Sequence, residues 1–154
     1  MTHNLIASDR VEGTPVCRST GEQIGVVQRV MIDKLSGQIA YAVLTFGGFL
    51  GFGQKHFPVP WRSLRYNVKH GAYEFEATEE QLRAAEAMFE GLGLVVALAI
   101  ARLDLAEFLV ARGRAGEAAD RLAQARATFE ALGARSLIER LDAVAAGDLA
   151  KALP

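Results

Sequence analysis

The sequence contains little of several residue types, and each scarcity excludes a class of protein. Of 154 residues only one is cysteine, so no internal disulfide framework can form, and we expect a reducing, cytoplasmic setting. The N-terminal stretch lacks the basic-then-apolar pattern of a secretory signal, which supports that expectation. The longest apolar run, residues 94–101, spans eight residues. Because roughly 20 are needed to cross a bilayer, we expect no direct membrane insertion.

Sites that depend on histidine, cysteine or excess charge are also poorly supported. The three histidines, His3, His56 and His70, show no metal-ligand spacing with each other or with Cys17, so we expect neither a metal nor a cofactor. Cys17 lies in a β-rich segment and is predicted to be a small buried hydrophobe. The net charge is −1, so on charge grounds we do not expect a nucleic-acid partner.

Alanine and glycine divide the chain into two halves of different character. Residues 1–77 contain five alanines and nine glycines, whereas residues 78–154 contain twenty-one alanines and six glycines. The first composition is typical of strands and the second of helices, so the fold class is α+β with domains at 1–77 and 78–154. Each half is small enough to be only marginally stable alone, which favours docking of the halves or a homodimer.

Short β-rich segments with glycine and proline punctuation fill the first half. The predicted strands cover residues 14–18, 23–33, 38–46, 55–59, 64–68 and 72–76. The third is the most apolar, and both of its faces, one with Tyr41 and Val43, are expected to be buried. The spacing predicts a small antiparallel barrel or sandwich. Trp61, in the turn after the fourth strand, is expected to seal it.

Four helices are predicted in the second half, and part of the sequence repeats. A capping box begins at Thr78, with Gln81 as its second member, and the later helices cover about residues 94–112, 116–132 and 136–146. Residues 85–93 recur forty positions later as residues 125–133, with six of nine identical. The second helix is apolar nearly all round, so it needs cover on more than one side.

The order of several segments in the first half is that of a known family. These segments are residues 5–9, 13–16, 21–25, 30–34, 39–44, 47–53 and 57–61. Residues 5–82 as a whole resemble the PRC-barrel domain, a small β-barrel found in the photosynthetic reaction-centre H subunit and in a ribosome maturation factor. The resemblance implies a closed barrel without catalytic residues that acts as a protein-interaction module.

The second half resembles a tetratricopeptide repeat, a helix-turn-helix unit of protein-binding scaffolds. The spacing of large and small residues carries this resemblance, at Leu105, Ala106, Leu109, Gly113, Arg114, Ala118, Leu122 and Ala125. One unit would cover residues 99–132. The chain departs from the family at Arg102, where an aromatic residue is favoured, and in its forty-residue period.

Two groups of apolar residues are candidates for partner binding. Four glycines in residues 47–53 surround Phe49, Leu50 and Phe52, which either form a contact surface or fold back to plug the barrel. On the second predicted helix, the candidate face comprises Ile100, Leu103, Glu107 and Val110.

These observations predict a non-catalytic adaptor or assembly factor that binds protein partners and forms a homodimer. We expect no enzyme activity, because the carboxylates lie among arginines on helices as solvated pairs. Two alternatives stay open from the resemblance: an RNA- or ribosome-associated barrel, and a peripheral subunit of a photosynthetic-type membrane complex.

Overall fold

A computed structural model describes residues 3–46 and 55–147 of the chain. Contacts divide it into two compact units, Met1–Glu76 and Ala77–Pro154. The first is built on a β-sheet and the second is helical, as the α+β prediction requires.

The β unit begins with a single helical turn, followed by six strands. Its elements are α1 (Ser8–Val11), β1 (Pro15–Cys17), β2 (Gln23–Ile32), β3 (Ile39–Phe46), β4 (Lys55–Pro60), a 3₁₀ turn (Trp61–Ser63), β5 (Arg65–Asn67) and β6 (Ala72–Glu74). In the sheet they follow the order β4-β3-β2-β1-β6-β5.

The prediction of a closed antiparallel barrel is wrong in two respects. The β1–β6 pair is parallel, with Val16 opposite Tyr73, so the sheet is mixed. Among the described strands no backbone ladder joins β4 to β5, so the sheet stays open. Both β5 and β6 have only three residues, which leaves few backbone groups for a further ladder.

Aromatic side chains bring together parts of the sheet that the backbone does not join. The ring centroids of Phe57, in β4, and Phe75 are 5.5 Å apart. Phe75 directly follows β6, and its backbone N–H donates a hydrogen bond to the carbonyl oxygen of Cys17 in β1. Phe46 of β3 stacks on Phe75 at 6.1 Å. Because β4 and β6 are four places apart in the sheet, a flat sheet would separate them by about 19 Å. The sheet is therefore strongly curled around an aromatic core.

One face of β3 lines this core, and the other does not. Ala42, Leu44 and Phe46 are buried, whereas Tyr41 and Val43 on the opposite face are only half-buried. The expectation that both faces are buried is therefore right for the inner face alone.

The helical unit contains the four predicted helices. They are α2 (Glu79–Leu92), α3 (Val95–Ala111), α4 (Ala115–Leu132) and α5 (Arg135–Ala145). The Thr78 hydroxyl oxygen accepts a hydrogen bond from the Gln81 backbone N–H at 3.2 Å, which is the predicted N-cap.

The sequence repeat corresponds to two helical hairpins, α2–α3 and α4–α5. Gly93 and Gly133 end the first helix of each hairpin in the left-handed conformation, with φ of 66° and 64°. After each glycine, the backbone N–H of the next residue donates a hydrogen bond to the carbonyl oxygen of a buried phenylalanine. Leu94 donates to Phe89, and Ala134 donates to Phe129. Residues forty positions apart therefore occupy equivalent places in the two hairpins.

Helix α3 is covered on several sides, as its composition predicts. Leu103, Leu105, Ala106 and Leu109 are fully buried, and α3 contacts α2, α4 and α5. Two ion pairs join α4 to α2 beside it: Arg114 to Glu79 at 2.7 Å and Arg121 to Glu86 at 3.0 Å.

Gly25 is required in β2 by the close approach of β3. A Cβ atom at this position would lie 2.2 Å from the Thr45 carbonyl oxygen and 2.7 Å from a ring carbon of Phe46. Since the closest atom belongs to the backbone, a side chain here would have to displace β3.

We expect Gly25→Ala to destabilise the β unit by about 3 kcal/mol through this overpacking. Trp61 is the single tryptophan of the chain and packs on Tyr73 within this unit, so its fluorescence reports the unfolding of the β unit in urea. Gly91→Ala in α2 is the control, because a Cβ there meets nothing within 4 Å. An unchanged fluorescence midpoint for Gly25→Ala would contradict the prediction.

The Glu79–Arg114 pair makes the helical unit sensitive to acid. Hydrogen bonds from Arg114, then from Arg83, lower the pKa of Glu79 from 4.5 to about 2. A carboxylate whose pKa is depressed on folding stabilises the protein above its unfolded-state pKa, and this contribution is lost as the pH falls towards the folded-state pKa.

We therefore expect Arg114→Gln to lower the urea midpoint of the helical unit at neutral pH. The difference from wild type should shrink as the pH falls from 4.5 to about 2, where Glu79 becomes protonated in both proteins. Far-UV circular dichroism at several pH values measures it. A difference that stays constant across this window would show that the pair does not titrate as described.

Candidate interaction surfaces

The outer face of the curled sheet forms a groove of about 450 Å³ across β2, β3 and β4. Its lining comprises Gln28, Arg29, Met31, Tyr41, Val43 and His56. Strand register explains the grouping, because Arg29 lies opposite Val43 and Met31 opposite Tyr41. We call these six residues the sheet-face groove.

A bulge in β2 shapes one end of the sheet-face groove. The register shifts between Val27 and Arg29, so Gln28 has no direct partner in β3. Its side-chain oxygen lies 3.0 Å from His56 Nδ1 of β4. This contact links β2 to β4 across the intervening strand β3.

Apolar exposure continues from this groove towards the β2–β3 turn. Met31 is 39% exposed, Ile32 52% and Leu35 99%. The turn itself is held by Asp33, whose carboxylate accepts hydrogen bonds from the backbone N–H groups of Leu35 and Ser36. These two bonds lower the pKa of Asp33. The turn thus presents Leu35 to solvent on an ordered backbone.

Inside the helical unit, two buried carboxylates of α3 share one arginine of α5. Asp104 and Glu107 are 1% and 2% exposed, and Arg140 reaches both, at 2.7 Å to Asp104 Oδ1 and 3.1 Å from Nε to Glu107 Oε2. The two carboxylates raise the pKa of Arg140 against the opposing effect of burial. Since Asp104 and Glu107 are one turn apart on α3, the guanidinium fixes α5 against that turn.

Most of the residues predicted to bind a partner do not line the surfaces described above. Phe49, Leu50 and Phe52 lie outside the described residues. On α3, Leu103 is fully buried and Glu107 is bonded to Arg140, so neither side chain is available to a partner in this arrangement.

Ile100 and Val110 of the same predicted face are half-buried and pack against the helical core.

One signal in the sequence could have indicated the buried ion cluster of Asp104, Glu107 and Arg140. Apart from Arg102, Asp104 and Glu107, helix α3 consists of apolar residues, and two buried carboxylates in such a helix need a cation nearby. That cation is Arg140 of α5.

Cys17 takes the structural role expected of it, whereas Trp61, expected to seal a closed barrel, packs on a neighbouring ring in a sheet that stays open among the described strands. Cys17 is buried, and burial raises the pKa of its thiol, with a smaller contribution from Glu74. Trp61 packs on the Tyr73 ring at 5.3 Å between centroids.

The described part of the chain holds neither a cluster of metal-ligating side chains nor a helix that could span a membrane. Across residues 3–46 and 55–147, no three His, Cys, Asp or Glu side chains are grouped so that they could hold a metal ion. Over the same residues, no helix combines the length and apolarity needed to cross a membrane.

The first unit is thus a small β domain with a curled six-stranded sheet, an aromatic core and a partly apolar outer groove. Comparison with known families matches residues 3–82 to the PRC-barrel domain, and the chain belongs to that family. The PRC-barrel domain is a general interaction and assembly module. No curated protein matches the chain. The family match ends within α2, so the tetratricopeptide resemblance of the later helices stays a prediction.

We expect Arg140→Met to destabilise the helical unit by about 3–5 kcal/mol, because it removes the cation that binds two buried carboxylates. Far-UV circular dichroism in urea measures the loss. Arg135→Met, at an exposed position on the same helix, is the control and should unfold as wild type does.

Replacing the whole cluster should restore much of the stability, because no buried charge then remains. The variant combines Asp104→Leu, Glu107→Met and Arg140→Met. Equal unfolding midpoints for Arg140→Met and Arg135→Met would contradict this account of the cluster.

Proposed function

We propose that this PRC-barrel protein is a non-catalytic adaptor or assembly factor that holds a protein partner on the sheet-face groove. The observation that carries the proposal is the set of partly exposed Met31, Tyr41 and Arg29 side chains on one sheet face. Tyrosine, methionine and arginine are the residue types enriched at protein interfaces, because each offers a large contact area with a polar or polarisable group.

The surroundings of the groove support an extended contact. A stable interface buries about 800 Å² on each partner, which is more than the groove alone offers. Ile32 and Leu35 extend the apolar surface beyond Met31 and are themselves exposed. A partner that covers the groove and this turn would remove from water the exposed apolar side chains of the β2–β3 hairpin, Met31, Ile32 and Leu35.

The helical unit would serve as a second scaffold of the tetratricopeptide type. Its two equivalent hairpins and its alanine-rich α4 support that interpretation, since small residues allow helices to approach closely. A homodimer, a cytoplasmic location, an RNA- or ribosome-associated role and a place in a photosynthetic-type membrane complex stay predictions from the sequence.

The test places a photo-crosslinking benzophenone residue at position 31 of the intact chain in its native cells. Position 68 is the matched control, because Val68 is an apolar residue that is 84% exposed elsewhere on the β unit. We expect a defined partner to be crosslinked from position 31 and not from position 68.

Binding of that purified partner should then weaken by about 30-fold or more in the Met31→Ser plus Tyr41→Ala variant, since loss of central anchors costs about 2 kcal/mol or more. Val68→Ser should bind as wild type does. Identical crosslinks from both positions, or an unchanged dissociation constant for the double variant, would overturn the proposal.

A further inference from the structure

The second half of strand β2 has no neighbouring strand on the side that faces away from β3. The β1–β2 ladder ends at Val26, and Val27 bonds to Gly13 and Thr14, just before β1. Beyond Val27, no backbone hydrogen bond from the described residues reaches β2 on this side. The α1 turn contacts β2 without such a bond. We call residues 28–32, on this side, the β2 free edge.

A proline of β4 shows which backbone groups the β2 free edge presents. Pro58 lies opposite Val43 of β3 and has no N–H, so this pair exchanges no hydrogen bonds, and Val43 directs its backbone groups towards β2 instead. Arg29 lies opposite Val43 and bonds to it. Because the direction of the backbone groups alternates along a strand, Val30 directs its N–H and C=O outward, away from β3.

The same alternation makes Ile32 the second outward residue. The Asp33 N–H bonds to the Gln38 carbonyl within the hairpin, so the residue before Asp33 faces the other way. Val30 and Ile32 together present two N–H and two C=O groups on the β2 free edge. A ladder of this length is used elsewhere in the sheet, because the β1–β6 ladder also consists of two residue pairs.

The β2 free edge lacks the protection that the outer edge of the sheet has. Strand β4 is at one end of the strand order, and its Pro58 and Pro60 have no N–H to offer to a further strand. Residues 28–32 include neither proline nor lysine, and the Met31 and Ile32 side chains are exposed. An unpaired edge with exposed apolar side chains is a template for another strand.

The sequence of the β2 free edge indicates which strand fits it. Residues 29–33 read RVMID, which is complementary to itself when two copies run antiparallel with Met31 at the centre. Val30 of one copy then lies opposite Ile32 of the other, and these two residues can exchange both of their hydrogen bonds. Arg29 of each copy lies opposite Asp33 of the other, so both ends of the ladder join opposite charges.

Both charged residues are placed for this pairing. Arg29 is exposed, and none of the six residues that define the sheet-face groove is acidic, so the groove itself supplies no carboxylate to Arg29. Asp33 lies at the end of the strand, where its Oδ1 accepts hydrogen bonds from the Leu35 and Ser36 N–H groups at 2.8 and 3.2 Å. These bonds hold the carboxylate on an ordered turn.

We infer that the β2 free edge pairs with the same edge of a second copy of the chain, antiparallel about Met31, and joins the two sheets into one. The inference does not rest on the proposed partner, which would lie on the outer face of the sheet, so either can fail without the other. Because the ladder is short, we expect a weak dimer with a dissociation constant of about 10–300 µM.

Sedimentation of the intact chain over a range of concentrations measures the dimer, and charge exchange tests its register. Arg29→Asp sets carboxylates against each other at both ends of the ladder and should weaken the dimer about 10-fold or more. Asp33→Arg should do the same with two cations. An equimolar mixture of the two variants should dimerise again, because every pair across the edge then joins opposite charges.

The mixture also separates pairing from folding, since a variant that is merely damaged cannot be rescued by another. Arg62→Asp is the matched control, because it makes the same change of charge at an exposed position outside the β2 free edge and should dimerise as wild type does. Circular dichroism checks that all three variants are folded.

A disulfide tests the centre of the ladder. Met31→Cys should form an intermolecular disulfide on mild oxidation, because directly opposite residues that exchange no hydrogen bonds have Cα atoms about 4.5 Å apart, within disulfide range. Leu35→Cys is the control: it is more exposed than Met31 but lies four residues from the centre, and it should crosslink far less. The native Cys17 is buried and does not compete.

Several results would overturn the inference. These are a monomer at all concentrations up to about 1 mM, a dimer unchanged by Arg29→Asp, a mixture of the two charge variants that stays monomeric, and equal crosslinking from positions 31 and 35. A dimer that forms only after deletion of residues 1–7 would also overturn it, because the edge would then be covered by the chain's own N-terminal residues.

Discussion

The need to keep water away from α3 organises the helical unit. This helix is apolar on nearly every side, and an isolated helix of that kind cannot exist in water. Leu103, Leu105 and Leu109 are fully buried only because three other helices surround them. The two acidic residues of α3 are buried with them, and so a basic residue of α5 has to enter the core. Packing and charge pairing in this unit therefore follow from the composition of one helix.

In the β unit the corresponding constraint is the shortage of backbone partners at the ends of a small sheet. Strands β5 and β6 are too short to offer much of a ladder, and the rings of Phe46, Phe57 and Phe75 supply the cohesion instead. These ring contacts join β4 to the residue after β6, between which the described strands have no ladder. Strand alternation places Tyr41 and Met31 on the outer face of the same sheet, where they line the sheet-face groove.

Much of the fold could be predicted from local signals in the sequence, and the rest could not because it depends on distant residues. The Thr78 cap depends on neighbouring residues, and the forty-residue repeat is visible in the sequence itself; the structure has both where expected. The parallel pairing of β1 with β6 joins residues 57 positions apart, as Val16 and Tyr73 show, and alternation alone cannot specify it.

The same distinction applies to the candidate sites. From the sequence Glu107 was a polar candidate on a binding face, because nothing near it in the sequence indicates Arg140, 33 residues later. Tyr41 and Val43 looked buried, because a strand covered on both faces and a strand with a half-buried outer face share the same apolar pattern.

One ion pair has its signs exchanged between the hairpins, Glu86–Arg102 in the first and Arg126–Asp142 in the second, and this bears on how the chain avoids misfolding. Repeated hairpins of similar sequence risk exchanging helices, within one chain or between two. If α4 took the place of α2 beside α3, Arg126 would face Arg102. If α5 took the place of α3 beside α2, Asp142 would face Glu86. Each exchange brings together one pair of like charges that the native order keeps apart, which favours the native order of the helices.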